Sequence, residues 1–523
     1  MGLSSSFIKK LDDALVGRRV DEGFRLLDHA GAGVWAVTRK DPHAWAFLLS
    51  VAQWVDLGYG KLQLLEDLLK QLSGTSRRDM KLIDFLRLRL SEAFAVFASD
   101  RPGETISILE QVLTLETEVC EPRLLVVTHF WKARAHRKKG EYEPAMRHIS
   151  MAKEIAERMH APKLVAVMKI HESWLLFQRG QRKEAFRMLD EAEAALKPLG
   201  HTLSLGNIES ARGRFVRRSG EYGKALEHFH RAITIYSKHF ANHPNLARAM
   251  VNAAYVKRLI ALDLSRKSET QRASGAWHAR HRETCQEALE LLYRAREIYA
   301  QHNQHSGMGS ALVNTGHLHL HGGEIDPAVE AADSAFSLGE ETRDNILMAR
   351  ARILQAAIEN MKVEEQLGEA GELTGHANMA RQYAEEAIRL AGLTQNKRLL
   401  AGAFIMRGSV AANEVFEEWD VAKQFASQAT DLLSPDDRDH LFSELLALKT
   451  RILRAIGIDE TLRSWSDGMT GGKSFQQITE EFAEIVIPKV WVREGRKISK
   501  VAEKMAISPK KVRRVLRNAH LLN

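Results

Sequence analysis

The segment from Lys489 to Asn523 concentrates side chains that can bind an anionic polymer. Of the 75 Lys and Arg and the 67 Asp and Glu in the chain, 11 and 2 respectively lie in this segment. The net charge of +8 and the pI near 9.3 are therefore properties of the segment, because the rest of the chain is nearly balanced. Ammonium and guanidinium groups at this density favour phosphate, and nucleic acid is the commonest partner of such a patch. The alternative is a solvated helix face that keeps the chain soluble.

Two short helical patterns position these cations. Ser499 and Ser508 can each cap a helix, over 500–505 and 509–518 respectively. Apolar residues at helical spacing give both helices one face that can be buried. This is the spacing of a helix-turn-helix whose second helix points its basic side chains away from the core. The second helix carries Lys510, Lys511, Arg513, Arg514 and Arg517.

The segment resembles the Fis-type helix-turn-helix of bacterial transcription regulators, over 480–523. The shared features are the small residues of "SKVAEKMAIS" and the basic "KKVRRVLR". The family usually has Gly in the turn and Arg after the second cap, where this chain has Ala506 and Pro509, and Pro509 cannot hydrogen-bond a base. The resemblance implies a homodimer on double-stranded DNA, with the apolar helix at 475–487 as a dimer contact. By position it assigns to DNA Lys497, Ser499, Lys500, Ser508, Lys511, Arg513 and Arg514, and Lys510 and Arg517 share the same helix.

One stretch invites a phosphate-loop reading. In "GMTGGKS", 468–474, the first Gly of that motif would have to stand where Asp467 is, and no apolar strand precedes it. We therefore interpret 467–474 as a linker.

Two sets of histidines have metal-ligand spacing. His317 and His321 share a helix face, and so do His278, His281 and Cys285, but neither set has the further ligands that zinc requires. The sequence also lacks a nucleophile elbow and a Gly-rich nucleotide motif. It therefore predicts no enzyme, no metal site and no cofactor.

The cysteines and the hydropathy indicate the compartment. Cys120 and Cys285 are the only cysteines, which fits a reducing environment. No apolar run approaches the roughly 18 residues of a membrane span. We therefore predict a cytoplasmic protein without a membrane partner.

The region before the basic segment carries an internal repeat. "GEYEPAMRHISMA" (140–152), "GQRKEAFRMLDEA" (180–192) and "GEYGKALEHFHRA" (220–232) each place Ala five residues after Gly, a large apolar residue four later and Ala three after that. Gly permits a left-handed backbone where a first helix stops, and small Ala residues let a second helix pack closely. Each copy therefore predicts a helix–turn–helix pair that must stack on others. Further copies begin near 18, 60, 100, 283, 323, 375 and 417, about ten in all.

The repeat resembles the tetratricopeptide repeat (TPR) in a 40-residue form, over about 15–435. The resemblance implies an all-α, right-handed superhelical solenoid. We assign 1–466 to this solenoid, 467–474 to the linker, and 475–523 to the Fis-type helix-turn-helix domain.

Two insertions interrupt the period of the repeat, at 265–283 and 363–375. Both lengthen the connection between the helices of one pair, so we predict charged surface loops. The basic insertion at 265–283 is also a candidate for a second contact with nucleic acid.

The first helices of stacked pairs line a concave groove. Asn252 and Asn314 fall at the same repeat position, where an Asn of the TPR family often grips the backbone of a bound peptide. Basic residues of two repeats give the groove a positive lining that suits an acidic peptide or protein segment. The predicted groove residues are Arg134, Arg137, Lys138, Trp174, Arg214, Arg217, Arg218, Asn252 and Asn314.

These features predict a DNA-binding transcriptional regulator. Its array would bind a protein or peptide partner, and its basic segment would dock on DNA. A ligand in the groove would change DNA affinity by linkage. The alternative is a TPR scaffold for protein–protein contacts that binds no DNA.

Overall fold

The computed structural model describes residues 3–73, 80–118, 121–199, 202–239, 241–270, 275–434, 436–455, 472–519 and 521–522. In these residues the regular structure is helical, without strands. None of the helices found there is long and apolar enough to cross a bilayer. The chain divides into two compact units, Met1–Leu445 and Leu446–Asn523. Residues 467–471 of the predicted linker lie outside the described residues.

The helices before residue 456 are labelled in chain order, and two 3-10 turns, Glu116–Glu118 and Lys197–Leu199, accompany them. They are α1 Ser5–Val16, α2 Val20–Asp28, α3 Ala32–Trp35, α4 Ala44–Asp56, α5 Leu62–Ser73, α6 Leu82–Ala98, α7 Pro102–Leu113, α8 Pro122–Lys138, α9 Tyr142–Arg158, α10 Pro162–Gln178, α11 Arg182–Leu196, α12 Thr202–Arg218, α13 Tyr222–His239, α14 Pro244–Thr270, α15 Gly275–Gln301, α16 His305–His321, α17 Ile325–Thr342, α18 Asn345–Glu364, α19 Ala370–Gly392, α20 Lys397–Ala411, α21 Trp419–Leu432 and α22 His440–Ala455.

The helices of the first unit pack as consecutive pairs, from α1 with α2 and α4 with α5 through to α20 with α21, which makes ten pairs in the described part of the chain. The alanines of the repeat pattern lie between the helices, as predicted. Ala145, Ala185 and Ala225 are all 0% exposed, so the second helix of each of these pairs meets its neighbour at a methyl group. Large side chains such as Phe229, also 0% exposed, fill the space between pairs.

The turn inside a pair needs a left-handed residue, and the predicted glycines supply it. Their φ angles lie between 76° and 81° at Gly140, Gly180, Gly220 and Gly323. In less regular copies a non-glycine residue takes a positive φ at the turn, namely Arg18, Asp100, Gln366 and Glu417.

Most described residues of the two insertions extend helices, so the prediction of surface loops was wrong for them, whereas 365–369 do form an exposed loop. α14 and α15 each have 27 residues, with only 271–274 between them left undescribed. α18 continues to Glu364, and α19 begins at Ala370 with a capping box between Glu369 and Glu372. The copies predicted to begin near 283 and 375 therefore lie inside α15 and α19, because each of these helices begins further upstream than the repeat pattern places it.

Connections far apart in sequence contact each other in the first unit. The backbone N–H of Ser306 donates to Asp100 Oδ2 at 2.6 Å, across 206 residues. The backbone N–H of Glu143 donates to Gln395 Oε1 at 2.8 Å, across 252 residues. The N–H of Arg438 donates to the carbonyl of Arg218 at 2.9 Å. Successive turns of the superhelix are therefore joined by contacts between helix connections.

The described residues 472–519 of the second unit form three further helices. They are α23 Phe475–Arg493, α24 Ile498–Lys504 and α25 Pro509–Asn518. Ile487 and Trp491 of α23 pack with Val501 of α24 and with Val512 and Leu516 of α25.

Two local predictions for this unit were wrong. The sequence predicts that Pro488 kinks or ends the helix and that a second piece follows at 489–494; the helix does not end there, because its apolar face continues through Pro488 into the core. Ser499 does not cap α24, which begins at Ile498 after Lys497. The cap predicted at Ser508 is confirmed, and Ser474 caps α23 in the same way, since each hydroxyl oxygen accepts a backbone N–H.

Candidate ligand groove and candidate nucleic-acid interface

Six arginines on the first helices of the pairs face one another across the concave side of the first unit. Burial is the main cause of a lowered pKa at Arg137, Arg214 and Arg350, and other arginines of the set lower these pKa values further although their helices belong to different pairs. Burial, with Arg248 and Arg134, lowers the pKa of Arg137 to about 9. The guanidinium therefore stays charged at neutral pH. We call these residues the lumenal arginines: Arg137, Arg214, Arg217, Arg248, Arg258 and Arg350.

Three of the lumenal arginines surround His171 on α10. Arg137 Nη1 lies 3.3 Å from His171 Nδ1. Arg248 Nη2 donates to Asn207 Oδ1 at 3.3 Å. Arg214 Nε makes only a long hydrogen bond of 3.4 Å to a backbone carbonyl of its own helix. We call Arg137, Arg214 and Arg248 the first triad.

The other three lumenal arginines gather around Tyr255 on α14. The guanidinium of Arg217 lies 4.5 Å from the centre of the Tyr255 ring, and that of Arg258 lies 5.0 Å from it. Arg350 Nη1 donates to Ser310 Oγ at 3.0 Å. Arg258 is only 4% exposed, and its Nε has no hydrogen-bond partner in the described structure. We call Arg217, Arg258 and Arg350 the second triad.

In the part of the chain that the structure describes, the lumenal arginines lack a carboxylate in direct contact, although the charges of Glu444 and Asp344 act on Arg258 and Arg350. Among the described residues, their hydrogen-bond partners are amides, a hydroxyl, an imidazole and backbone carbonyls, and none forms an ion pair with a carboxylate. Many cations elsewhere in the array form ion pairs, as Lys257 does with Glu287 and Lys169 with Glu191. Six arginines without a described ion-pair partner in one groove raise its positive potential and attract an anion.

Three predicted groove cations are engaged with aspartates instead. The side chains of these aspartates are 14%, 0% and 0% exposed, so the pairs stabilise the array and leave little capacity for a ligand. The pairs are Arg134 with Asp56, Lys138 with Asp100, and Arg218 with Asp437. Of the predicted cations, Arg137, Arg214 and Arg217 remain in the lumenal set.

The two predicted asparagines lie on first helices and bond within them. Asn252 Nδ2 donates to the carbonyl of Arg248 at 2.7 Å, and its Oδ1 accepts from Arg217 at 3.4 Å. Asn252 thus lies between the two triads and orients the guanidinium of Arg217. Asn314 is 3% exposed and donates to the carbonyl of Ser310 at 2.8 Å.

Trp174 is the predicted aromatic contact of the groove. It is half-buried, and its ring lies 5.5 Å from the guanidinium of Arg137 and edge-on to Tyr142. The ring therefore supports the first triad.

Sequence reasoning missed Arg248, Arg258 and Arg350, with Tyr255. These residues lie on α14 and α18, the first helices of the two pairs that carry insertions. The turn that anchors the repeat alignment is displaced in these pairs. A signal was available in α14 itself, where the spacing of Arg248, Asn252 and Tyr255 places all three on one helix face.

The second unit presents most of its predicted DNA contacts to solvent. Arg514 Nη2 makes one weak ion pair, at 3.7 Å from Glu480 Oε1. Lys511 is half-buried against the core, and the Ser508 hydroxyl accepts the Lys511 backbone N–H at 3.2 Å. The exposed residues of the set are Lys497, Ser499, Lys500, Ser508, Lys510, Arg513, Arg514 and Arg517.

Ala506, between α24 and α25, has a φ of 50°. A non-glycine residue is strained there, so Ala506→Gly is expected to stabilise the second unit by about 0.5–1 kcal/mol. Hydrogen exchange of the α24 and α25 amides measures this change. Ala519→Gly is the matched control, because Ala519 has a φ of −79° and strain relief is not available there. Faster exchange in Ala506→Gly than in the wild type would contradict the expectation.

α23 exposes an apolar stripe at its start. Phe475 is 85% exposed and Phe482 45% exposed, and Ile478 and Ile485 are half-buried at the same helical spacing. These four side chains lie on a different side of the helix from Ile487, which is buried in the core.

The histidine sets do not assemble a metal site in the described residues, where no group of three or more His, Cys, Asp or Glu is placed to hold an ion. The rings of His317 and His321 are 6.2 Å apart. Cys285 Sγ lies 3.9 Å from His281 Nε2, and the side chain of His278 is not among those that the structure describes.

Neither a family model nor a curated relative matches this chain. Its fold is similar to that of NprR in complex with its cognate peptide NprX, with a TM-score of 0.50 and 14% identity over 74% of this chain and 98% of that one. Weaker likenesses are a Rap protein complexed with Competence and Sporulation Factor (TM-score 0.46, 16% identity, 73% and 99%) and a monomeric IFIT1 mutant with Gppp-AAAA (0.47, 14%, 81% and 87%). The chain thus has the fold of a TPR-like α-solenoid.

Proposed function

We propose that the chain is a DNA-binding transcriptional regulator without catalytic activity or cofactor, and that it acts in the cytoplasm. Its array binds an acidic peptide or protein segment on the lumenal arginines. Its second unit is a Fis-type helix-turn-helix that docks on double-stranded DNA.

The charge of the lumenal arginines, which lack a carboxylate in direct contact among the described residues, carries this proposal. A buried or half-buried guanidinium without a carboxylate is unfavourable in the free protein, and an anionic ligand relieves it. Guanidinium groups pair with carboxylates through two parallel hydrogen bonds, which makes an acidic peptide a fitting occupant. NprR, which shares this fold, was solved with a bound peptide, and this supports a peptide over a small metabolite.

The cations of α25 support the DNA-binding half of the proposal. Arg513, Arg514 and Arg517 are exposed on the helix that follows the Ser508 cap. Such a helix can enter a major groove while its flanks contact phosphates. A homodimer fits this role, and the exposed stripe of Phe475 and Phe482 on α23 offers its contact.

The DNA-binding half is tested by titrating duplex DNA at several salt concentrations. Wild type is expected to bind with a steep negative slope of log affinity against log salt. Arg513→Ala/Arg514→Ala is expected to flatten the slope by about 2, because each lost phosphate contact contributes about 0.9. Lys473→Ala is the matched control, because Lys473 is a cation of the same unit that already pairs with Glu481.

The same titration distinguishes the runner-up function. A TPR scaffold that makes only protein contacts predicts no duplex binding even at low salt. An unchanged slope in Arg513→Ala/Arg514→Ala would likewise remove the DNA-binding half.

A further inference from the structure

The lumenal arginines concentrate at two places, which Arg217 joins because its charge also acts on Arg214. His171 is under the influence of Arg137, Arg248 and Arg214, and of Arg134, whose charge Asp56 balances, whereas Arg350 is influenced by Arg258 and Arg217. Each group is therefore a local concentration of three cations. Two anions held by one ligand can satisfy both.

The spacing between the triads can be estimated along α14, because this helix contributes Arg248 to the first triad and Arg258 to the second. Ten residues of α-helix rise about 15 Å. An extended peptide rises about 3.3 Å per residue, so side chains four positions apart are separated by about 13 Å. An even spacing also keeps both side chains on the same side of the peptide.

The aromatic rings of the groove argue for a peptide over a nucleic acid. Stacking of a base requires a free ring face. Two guanidinium groups, of Arg217 and Arg258, already lie 4.5 and 5.0 Å from the centre of the Tyr255 ring. The guanidinium of Arg137 lies 5.5 Å from the Trp174 ring. The groove thus offers charge without free stacking platforms beside that charge.

Asn252 stands between the triads, at a place suited to a peptide backbone. It is half-buried on α14, four residues after Arg248 and six before Arg258. Its amide carries both a donor and an acceptor, which match the N–H and C=O of an extended peptide. Its present bonds, to the Arg248 carbonyl and the Arg217 guanidinium, are the ones that such a peptide would replace.

We propose that the array selects an extended peptide segment with two acidic residues four positions apart, one for each triad, with the backbone between them passing Asn252. This inference rests on the proposed acidic-peptide function and specifies its ligand.

The test uses the full chain and fluorescein-labelled twelve-residue peptides with blocked termini in a Gly/Ser background. One series carries two Glu residues separated by two, four or eight positions, and a further peptide carries a single Glu. Anisotropy at physiological salt is expected to show that the four-position peptide binds about tenfold tighter than the single-Glu peptide, because a second bidentate pair is formed. The other spacings are expected to gain less.

Variants then locate each acid. Arg350→Gln is expected to remove most of the gain of the four-position peptide and to change the single-Glu peptide little, as in a double-mutant cycle. Arg187→Gln is the control, since Arg187 is exposed on α11 and pairs with Glu184 and Glu191. The peptide series with wild-type protein keeps the proposal testable if a variant does not fold.

The outcomes separate the inference from the function beneath it. Acidic peptides that bind equally well at every spacing would overturn the two-triad inference and leave the acidic-peptide function intact. Failure of all acidic peptides to bind would overturn the peptide function itself. Tighter binding of a single-stranded oligonucleotide than of any peptide would overturn both.

Discussion

Acidification from pH 7.5 to pH 5 is expected to destabilise the array by several kcal/mol, through histidines that the fold keeps neutral. Burial, followed by the charge of Lys132, lowers the pKa of His148 to about 3. Burial, followed by Arg248, lowers the pKa of His243 to about 3. Burial and nearby arginines lower the pKa of His171 and His317 well below the ordinary range.

The direction of the effect follows from proton binding. Above pH 6.5 neither state takes up a proton at these rings, so they do not affect the free energy of unfolding. Below pH 6.5 these histidines bind protons in the unfolded chain but not in the folded array. Each histidine therefore lowers the free energy of unfolding by up to about 1.4 kcal/mol per pH unit. By pH 5 each costs about 2 kcal/mol. Carboxylates whose pKa the fold lowers, such as Glu209 at about 2, affect stability only at lower pH.

Thermal unfolding followed by circular dichroism between pH 7.5 and pH 5 measures this loss. His148→Gln is expected to reduce the pH dependence of the melting temperature, because it removes one histidine that binds a proton only in the unfolded chain. His29→Gln is the control, since His29 is exposed on the surface of the array. A melting temperature that stays constant between pH 6.5 and pH 5 would contradict the expectation.

Asp437→Asn is expected to lower the free energy of unfolding of the array by about 3–5 kcal/mol, the usual cost of breaking a buried ion pair from one side. The Asp437 side chain is 0% exposed and holds three arginines. Its oxygens lie 3.2 Å from Arg218 Nε, 3.3 Å from Arg182 Nη2 and 2.5 Å from Arg398 Nη1. An amide in its place leaves Arg218 and Arg182 without this counter-ion, while Arg398 keeps only its contact with Asp439.

Denaturant unfolding of Asp437→Asn, compared with Asp436→Asn, tests this role. The neighbouring Asp436 is exposed and offers Arg182 only its backbone carbonyl, at 3.0 Å, so its substitution is expected to be nearly neutral. Hydrogen exchange is expected to rise in Asp437→Asn on both sides of the contact, in α12 and in α20. Equal stability of the two variants would show that Asp437 does not hold the turns of the superhelix together.

The sequence predicts the array well because its signals are local. Gly140, Gly180 and Gly220 mark turns through their own backbone preference, and the alanines that follow them mark close helix contacts. The insertions defeat the same reasoning, since a displaced turn carries no pattern of its own and only tertiary packing decides how far α15 and α19 extend. Pro488 belongs to the same class, because the core that holds α23 together on both sides of it is formed by residues distant in sequence.

The sequence predicted the positive charge of the candidate groove, but only some of the residues that line it. Regular repeats place Arg137, Arg214 and Arg217 on the concave side. Sequence cannot distinguish them from Arg134 and Lys138, because the aspartates that neutralise those two come from other connections and other helices. The division into two triads also depends on distances across the groove, which no local pattern encodes.

The contacts between helix connections change how this array should lose its structure. A solenoid whose pairs touch only their neighbours behaves as a one-dimensional chain and can fray from either end. Here Asp100 contacts Ser306, and Arg218 contacts Arg438, so the outer pairs are also held by pairs more than 200 residues away. Opening one end must therefore break bonds to the middle of the array as well. The unfolding of this solenoid is expected to be more cooperative than its repeat sequence alone implies.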